Sequence, residues 1–223
     1  MSRQQLFSKG VRDSSAMAVG IIPFGLIFGT LAGTAHLSLW QAVGMSLFVY
    51  AGSAQFIVIS LFGAGASTVV ILLTTLIVNL RHVLYSATLQ PHVSQLPQRW
   101  RIPLAFWLTD ETFAVVQRFY LVHGDKPLAH WYWLGVTISL YVCWVTSSLV
   151  GVLFGQAVPN LAVWGLEFAM LATFIGIVVP LLRNFPQIAA ALVGLMAAAF
   201  SGIAVGVVLE RQRPDRHGGE VRS

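Results

Sequence analysis

The stretch AVGIIPFGLIFGTLAG, residues 18–33, decides the fold class of this 223-residue chain, because it is almost wholly apolar and carries no charge. It lies in a charge-free run from Ser14 to Leu80, and a second such run extends from Pro127 to Leu166. A membrane-spanning helix needs roughly 20 apolar residues, so each run has room for more than one span. Long apolar spans are typical of helices, whereas the strands of a β-barrel are short and alternate. The sequence therefore predicts an all-α, polytopic membrane protein.

The composition and the spacing of apolar segments define the organisation. The chain is 57% hydrophobic and 9% charged, whereas a soluble domain carries about 25% charged residues. Seven hydrophobic segments are predicted, at 14–35, 40–62, 66–87, 102–122, 131–155, 163–182 and 187–209. They form one membrane transporter domain over residues 1–209, followed by a polar C-terminal tail at 210–223 that is predicted to be disordered. The net charge of +5 indicates topology signals and anionic lipid, not nucleic acid.

Two topologies compete for this pattern of charges. Three basic residues near the start favour a cytoplasmic N-terminus by the positive-inside rule: Arg3, Lys9 and Arg12. Seven spans, the preferred count, then place the Arg-rich tail outside. Six spans, with one segment re-entrant or interfacial, return the tail to the cytoplasm but leave other basic residues outside: Arg99, Arg101 and Lys126.

Small residues and prolines mark places where helices pack or break. Gly25, Gly29 and Gly33 recur every four residues, a spacing that lets two helices approach closely in lipid. Pro23 in IIPFG and Pro180 in VVPLL predict kinked or loosened helices. GTLAG followed by AQFIVI in the first half echoes GVLFG followed by ATFIGI in the second. This order is compatible with an internal repeat of a three-helix unit, as in many secondary transporters.

Two adjacent carboxylates, Asp110 and Glu111, interrupt an apolar segment in FWLTDETFAVV, residues 106–116. Ionisable residues inside spans are costly and mark substrate or ion pathways by default. On a helix the two side chains point about 100° apart, so one can face an aqueous cavity while the other meets a partner. Such a carboxylate can bind and release a proton, as proton-coupled transport requires. The alternative is a helix end at the interface with Thr109 as its cap.

A second polar cluster is NLRHVLY, residues 79–85. Arg81 and Tyr85 share one helix face, and Asn79 and His82 share another. The guanidinium of Arg81 can hold a carboxylate with two parallel hydrogen bonds, either on a substrate or on the acidic pair. The alternative is an arginine at an interfacial helix end that extends toward water.

Two further candidates are weaker. YAGSAQF, residues 50–56, offers Gly52, Ser53 and Gln55 at mid-span depth, where a broken helix can present backbone groups to a ligand. Glu167, in WGLEFAMLATF, is either a site residue or a solvated helix start favoured by the helix dipole.

Enzyme signatures are missing from the sequence. It has no Walker loop, no metal-spaced His/Cys set, no GxSxG and no dinucleotide-binding glycine pattern. We therefore expect no cofactor, no bound metal and no ATP-driven activity from this chain alone.

Five motifs in order resemble those of the AzlC family, the large subunit of branched-chain amino acid exporters: IIPFGLIFG, YAGSAQFIVIS, NLRHVLYSATL, TDETFAV and WGLEFAMLATFIGIVVPLL. The resemblance covers residues from about 14 to 209. Glu167 stands where the family usually has Asp in Gly-Leu-Asp-Phe. The resemblance implies proton-motive-force-driven export of leucine, isoleucine and valine, with methionine as a further candidate, across the bacterial inner membrane. It also implies a small hydrophobic AzlD-type partner.

The polar residues can be assigned to the parts of such a substrate. An amino acid zwitterion needs a cation for its carboxylate, and Arg81 is the candidate. Asp110 or Glu111 would accept the ammonium group or carry the coupling proton. The surfaces around Gly52 and Phe56 would receive the apolar side chain. A channel or non-transporting assembly subunit, and a small membrane enzyme that uses His82 with the acidic pair, remain the competing interpretations.

Overall fold

The computed structural model describes residues 1–154, and within them every regular element is a helix. In chain order the α-helices are α1 (Arg3–Asp13), α2 (Ser15–Thr34), α3 (Leu39–Gly44), α4 (Gly52–Gly63), α5 (Thr68–Asn79), α6 (Arg81–Val93), α7 (Gln98–Phe106), α8 (Asp110–His123) and α9 (Ala129–Phe154). A π-helical turn, Met45–Val49, follows α3. In this described part of the chain, three stretches are long and apolar enough to cross a membrane: α2, α5 with α6, and α9.

Helices α2 and α9 form a tight parallel pair. A methyl group added at Gly29 would collide with the backbone of Ser148, and one added at Gly151 would collide with Leu26. In α1, which precedes α2, a methyl group added at Gly10 would collide with the backbone of Tyr132 near the start of α9. Residue numbers therefore increase in the same direction along the α1–α2 segment and along α9. Small residues let these backbones touch, which is how helices associate where lipid supplies no hydrophobic drive.

Helices α7 and α8 form a re-entrant hairpin, called here the second hairpin (98–123). Helix α8 runs parallel to α6, since Phe113 stacks on Tyr85 at 4.5 Å and Tyr120 stacks on His92 at 3.9 Å. Helix α7 runs the opposite way beside α6, because only residues 94–97 connect the two helices and both line one cavity. The chain thus enters and leaves at the same end, with its tip at residues 107–109.

The first hairpin (39–63) enters from the opposite end. It descends through α3 and the π-helical turn, until Tyr50 takes a left-handed backbone conformation (φ 41°) and Ala51 an extended one. Helix α4 then returns toward the start of α5. The hydroxyl of Tyr141, midway along α9, donates to the carbonyl of Leu47 at 2.9 Å. The tip of the first hairpin therefore lies at mid-depth.

The two ends differ in charge. The end where α1, α7 and α9 begin, called here the basic end, carries most of the described cations: Arg3, Lys9, Arg12, Arg99, Arg101 and Lys126. The connections at the opposite end, residues 35–38 and 64–67, contain no Asp, Glu, Lys or Arg. The His92–Asp125 contact, 2.5 Å, also lies at the basic end and joins the last turn of α6 to the loop that follows α8.

The predicted all-helical membrane fold is confirmed, with a difference in how two segments run. Segments 14–35, 66–87 and 131–155 appear as long helices, the last described to Phe154. Segments 40–62 and 102–122 are instead broken into hairpins. This differs from the seven crossings that were preferred. The alternative with one re-entrant segment therefore applies to two segments. The segments can break at their tips because the backbone groups that lose their helical hydrogen bonds there are buried in protein and do not face lipid. Segments 163–182 and 187–209, the tail and the second halves of the echoed motifs lie outside the described residues.

Candidate functional site

A partly buried ion pair lies where the two hairpin tips meet. Arg81 Nη1 is 2.7 Å from Asp110 Oδ2, and the two side chains are only 22% and 24% exposed. Arg81 Nη2 donates to Ser53 Oγ, which belongs to the first hairpin. The hydroxyl of Tyr85 donates to Asp110 Oδ1 at 2.8 Å. Four of the predicted site residues are therefore in direct contact around one guanidinium group.

Three interruptions of the chain bring these residues together. Asp110 is the first residue of α8, whose start is capped by Thr109 accepting from the Thr112 amide at 3.3 Å. Ser53 lies in the first turn of α4, after the break at the first tip. Arg81 opens α6, after the break that separates it from α5. Since helix N-termini carry positive partial charge, the starts of α4 and α8 add to Arg81 and create a site suited to anions.

The helix-end alternative for the acidic pair describes its local structure. Asp110 and Glu111 occupy the first turn of α8 behind the Thr109 cap. That first turn lies at the hairpin tip, where Asp110 pairs with Arg81 at the break between α5 and α6. Glu111 is partly buried and forms no ion pair within residues 1–154. The two carboxylates thus face different surroundings.

Three buried polar atoms on the segments that carry the ion-pair residues have no hydrogen-bond partner within residues 1–154. They are Arg81 Nε, Asn79 Oδ1 and Gln55 Oε1. Buried polar atoms are rarely left unbonded in native structures, so each such atom requires an explanation, such as a ligand. His82 is already engaged, since its Nδ1 lies 3.1 Å from the carbonyl oxygen of Asn79.

An aromatic layer adjoins the ion pair on the side of the first hairpin. Gly52 faces the indole of Trp144, where an added methyl group would lie 3.2 Å from the ring. Phe28 packs on Phe56 at 6.0 Å and on Trp144 at 5.9 Å between ring centroids. The predicted apolar surface around Gly52 and Phe56 is therefore built mainly from rings.

Gln55 serves the first hairpin internally. It is fully buried and donates through Nε2 to Ser46 Oγ at 3.3 Å, across the break in the hairpin. Among the described residues it forms no hydrogen bond with Arg81. The structure therefore separates Gln55 from the cluster of Arg81, Asp110, Ser53 and Tyr85.

The predicted packing residues divide by position. Gly25 and Gly29 lie in the seam between α2 and α9, Gly33 lies one turn further along α2, and Pro23 is inside α2 on its exposed side. Glu167 and Pro180 lie outside the described residues.

One residue at the centre was missed by sequence reasoning. Tyr141 contacts both tips, since its ring lies 4.8 Å from that of Tyr50 and 5.8 Å from that of Trp107. It sits in the long charge-free run, where nothing in the local pattern separates it from other aromatic residues. Only the fold brings it to the tips, so no sequence signal was available.

These features define a multi-pass helical membrane protein with a charged centre between two re-entrant hairpins. A family model described as "AzlC protein" matches residues 16–158, and the chain belongs to the AzlC family. It is 31% identical over 201 residues to the inner membrane protein YgaZ of Escherichia coli K12, covering 86% of this chain and 80% of that protein.

Two other relatives extend the comparison. An uncharacterized membrane protein of Archaeoglobus fulgidus is 31% identical over 202 residues, covering 90% of this chain and 87% of its own length. The branched-chain amino acid transport protein AzlC of Bacillus subtilis is 26% identical over 188 residues, covering 84% and 72%. No solved structure matches the chain.

Proposed function

We propose that this protein is a secondary exporter of branched-chain amino acids in the bacterial inner membrane. It would act on leucine, isoleucine and valine, with methionine as a further candidate, as the large subunit beside a small AzlD-type partner. The name of the Bacillus subtilis relative supports the substrate class. The observation that carries the proposal is the Arg81–Asp110 pair at the meeting point of two re-entrant tips. Ionisable pairs at such depth mark transport pathways.

Arg81 would recognise the substrate carboxylate. Its Nη1 and Nη2 are engaged by Asp110 and Ser53, while Nε is buried without a described partner. A guanidinium binds a carboxylate best through two parallel hydrogen bonds. The N-terminus of α4 adds further attraction for an anion. A carboxylate that replaces Asp110 on the guanidinium would keep Arg81 paired, which avoids the high cost of a buried lone charge.

Asp110 would couple substrate to protons because proton and substrate compete for its carboxylate. In the empty site the ionised Asp110 holds Arg81, and Tyr85 stabilises this pair through its hydroxyl. Once the substrate carboxylate has taken its place on Arg81, the ionised Asp110 would attract the substrate's ammonium group, and a proton arriving from outside would neutralise Asp110 and remove that attraction. Proton and substrate would therefore occupy the site alternately, the exchange that export against an inward proton gradient requires.

The rest of the amino acid would be received by neighbouring groups. Glu111 and the unbonded Asn79 Oδ1 are the acceptors available for an ammonium group. The aromatic layer of Phe28, Phe56 and Trp144 would receive a branched aliphatic side chain. Such a layer selects for apolar area and discriminates weakly among leucine, isoleucine and valine.

The orientation follows from charge. All the cations of the basic end would face the cytoplasm by the positive-inside rule, since the described connections at the opposite end have none. The second hairpin would then enter from the cytoplasm and the first from outside. Each tip would reach the Arg81 centre from its own side of the membrane.

Efflux from cells tests the proposal. Cells that lack their own exporters would be loaded with dipeptides of each candidate amino acid, with this chain expressed alone or with its small hydrophobic genomic neighbour. We expect faster efflux of branched-chain amino acids, abolished by a protonophore, when both chains are present. Efflux that never exceeds the passive gradient would instead indicate a channel, and no efflux of any candidate would overturn the substrate assignment.

A further inference from the structure

A groove at the basic end has the features of a lipid-headgroup site. It encloses about 590 Å³ between the starts of α1, α7 and α9. Its rim carries Arg3 and Arg99, and its wall is formed chiefly by tryptophan, leucine and proline side chains, among them Trp100, Trp107 and Trp131. Among residues 1–154, no acidic side chain lines it. The groove therefore combines cationic and apolar character in one open cleft.

The aromatic wall is an ordered cluster. Trp100 lies edge-on to Trp131 at 5.1 Å between centroids, and His130 lies 4.6 Å from Trp100. The guanidinium of Arg3 is 5.8 Å from the centre of the Trp131 ring, a cation–π distance that positions this arginine at the mouth. Tryptophan is concentrated at the level of lipid headgroups, where one edge is wet and the other apolar. The groove is therefore at interfacial depth.

We propose that this groove binds one anionic phospholipid of the cytoplasmic leaflet. The phosphate would lie between Arg3 and Arg99, and the glycerol and first methylenes would lie against Trp100 and Trp131. Charge complementarity supports this occupant, because neither arginine forms an ion pair within residues 1–154. Basic pockets between membrane helices on the cytoplasmic side are a known mode of headgroup recognition. The inference does not depend on what the protein transports.

The site would also connect three parts of the fold. Arg3 belongs to α1, Arg99 to the base of the second hairpin, and Trp131 to α9. A bound phosphate would draw the hairpin base toward the α1–α9 pair. We therefore expect the lipid to raise the thermal stability of the whole protein.

Binding is measured on the purified chain in detergent, by native mass spectrometry and thermal unfolding during titration with phosphatidylglycerol. The test variant is Arg3→Gln with Arg99→Gln. The matched control is Arg12→Gln with Lys126→Gln, which removes the same charge from exposed positions at the same end that do not line the groove. Each cation near an anionic lipid is worth about fivefold in affinity, so the test variant should bind about 25-fold more weakly. The control should change by less than about twofold.

Four further arms decide the outcome. Phosphatidylcholine should bind at least tenfold more weakly than phosphatidylglycerol, and Arg3→Lys with Arg99→Lys should retain most of the affinity. Equal binding of the two lipids, or equal loss in test and control variants, would overturn the site. Glycerol phosphate or inorganic phosphate that competes at millimolar concentration would identify a soluble anion as the ligand. Displacement of the lipid by the co-expressed small membrane partner would assign the groove to that protein.

Discussion

The two hairpins follow matching courses from opposite ends and differ in chemistry. The first contains no charged residue between Leu39 and Gly63, and its turn is held by the Gln55–Ser46 hydrogen bond and by Tyr141. The second carries Asp110 and Glu111 at its tip, behind a threonine cap. Both tips contact Arg81. The difference suggests that the first hairpin supplies a neutral wall and a helix start, whereas the second supplies the group that switches.

The largest expected effect is on the second tip. Asp110→Asn should reduce export by at least about 100-fold, because it leaves the buried Arg81 without a counter-charge, a change that typically costs 3–5 kcal/mol. Export is measured as leucine efflux from vesicles with an imposed proton gradient. Any residual transport should no longer respond to that gradient.

The His92–Asp125 pair offers a matched control for this substitution. Asp125→Asn removes a carboxylate from an ion pair of similar length, but that carboxylate is 73% exposed. Exposed pairs contribute at most about 1 kcal/mol, so export should change by less than about threefold. If both variants behaved alike, or if Asp110→Asn kept full gradient-driven export, the proposed division between the hairpins would be wrong.

The frame that holds both hairpins should be the next most sensitive part. Gly29→Ala places a methyl group against the Ser148 backbone, and the rigid seam between α2 and α9 must open to accept it. Overpacking of this kind costs about 1–3 kcal/mol. Gly44→Ala in the first hairpin is the control, because nothing lies within 4 Å of the added methyl. Thermal unfolding in detergent should show a clear drop for the first variant and none for the second.

The sequence predicted which segments form membrane helices, but it did not predict how those helices pack against one another. Charge-free runs predicted membrane helices, because burying a charge in lipid is costly and spans therefore contain few charged residues. The spacing of Gly25 and Gly29 likewise indicated a packing seam. A single re-entrant segment was one predicted alternative, but neither 40–62 nor 102–122 was singled out for it, because a broken hydrophobic segment has much the same composition as a straight span.

The candidate site could be predicted residue by residue but not as an assembly. Arg81, Asp110, Ser53 and Tyr85 were all selected because polar groups in apolar segments are conspicuous. Their contacts join positions 25 to 29 residues apart along the chain, which only the topology brings together. The pairing of Arg81 with Asp110 was one of several alternatives. Tyr141 shows the limit, since an aromatic residue in an apolar run has no local signature of a central position.

A smaller effect is expected at the first tip, and it sharpens the comparison directly. Ser53→Ala removes the hydroxyl that accepts from Arg81 but leaves the Asp110 pair in place. A hydrogen bond to a charged group contributes about 1.5–3 kcal/mol. Because water can replace the missing hydroxyl, the loss should lie near the lower of these values. We expect an approximately tenfold rise in the half-saturating substrate concentration with gradient dependence intact. Loss of that dependence would place part of the switch on the first hairpin.

The smallest effect is expected at Gln55, inside the first hairpin. Gln55→Met keeps the volume of a fully buried side chain, removes a weak 3.3 Å hydrogen bond to Ser46 and also removes an unbonded amide oxygen. These changes oppose each other, so unfolding should shift by less than about 1 kcal/mol. Ser46→Ala breaks the same bond from the other side, and the double variant should be non-additive if the bond is the shared cause. Efflux of leucine should remain near the wild-type rate in all three. A Gln55→Met protein that unfolds normally yet loses export as strongly as Ser53→Ala would mean that the amide faces the substrate, and that the neutral hairpin takes part in recognition.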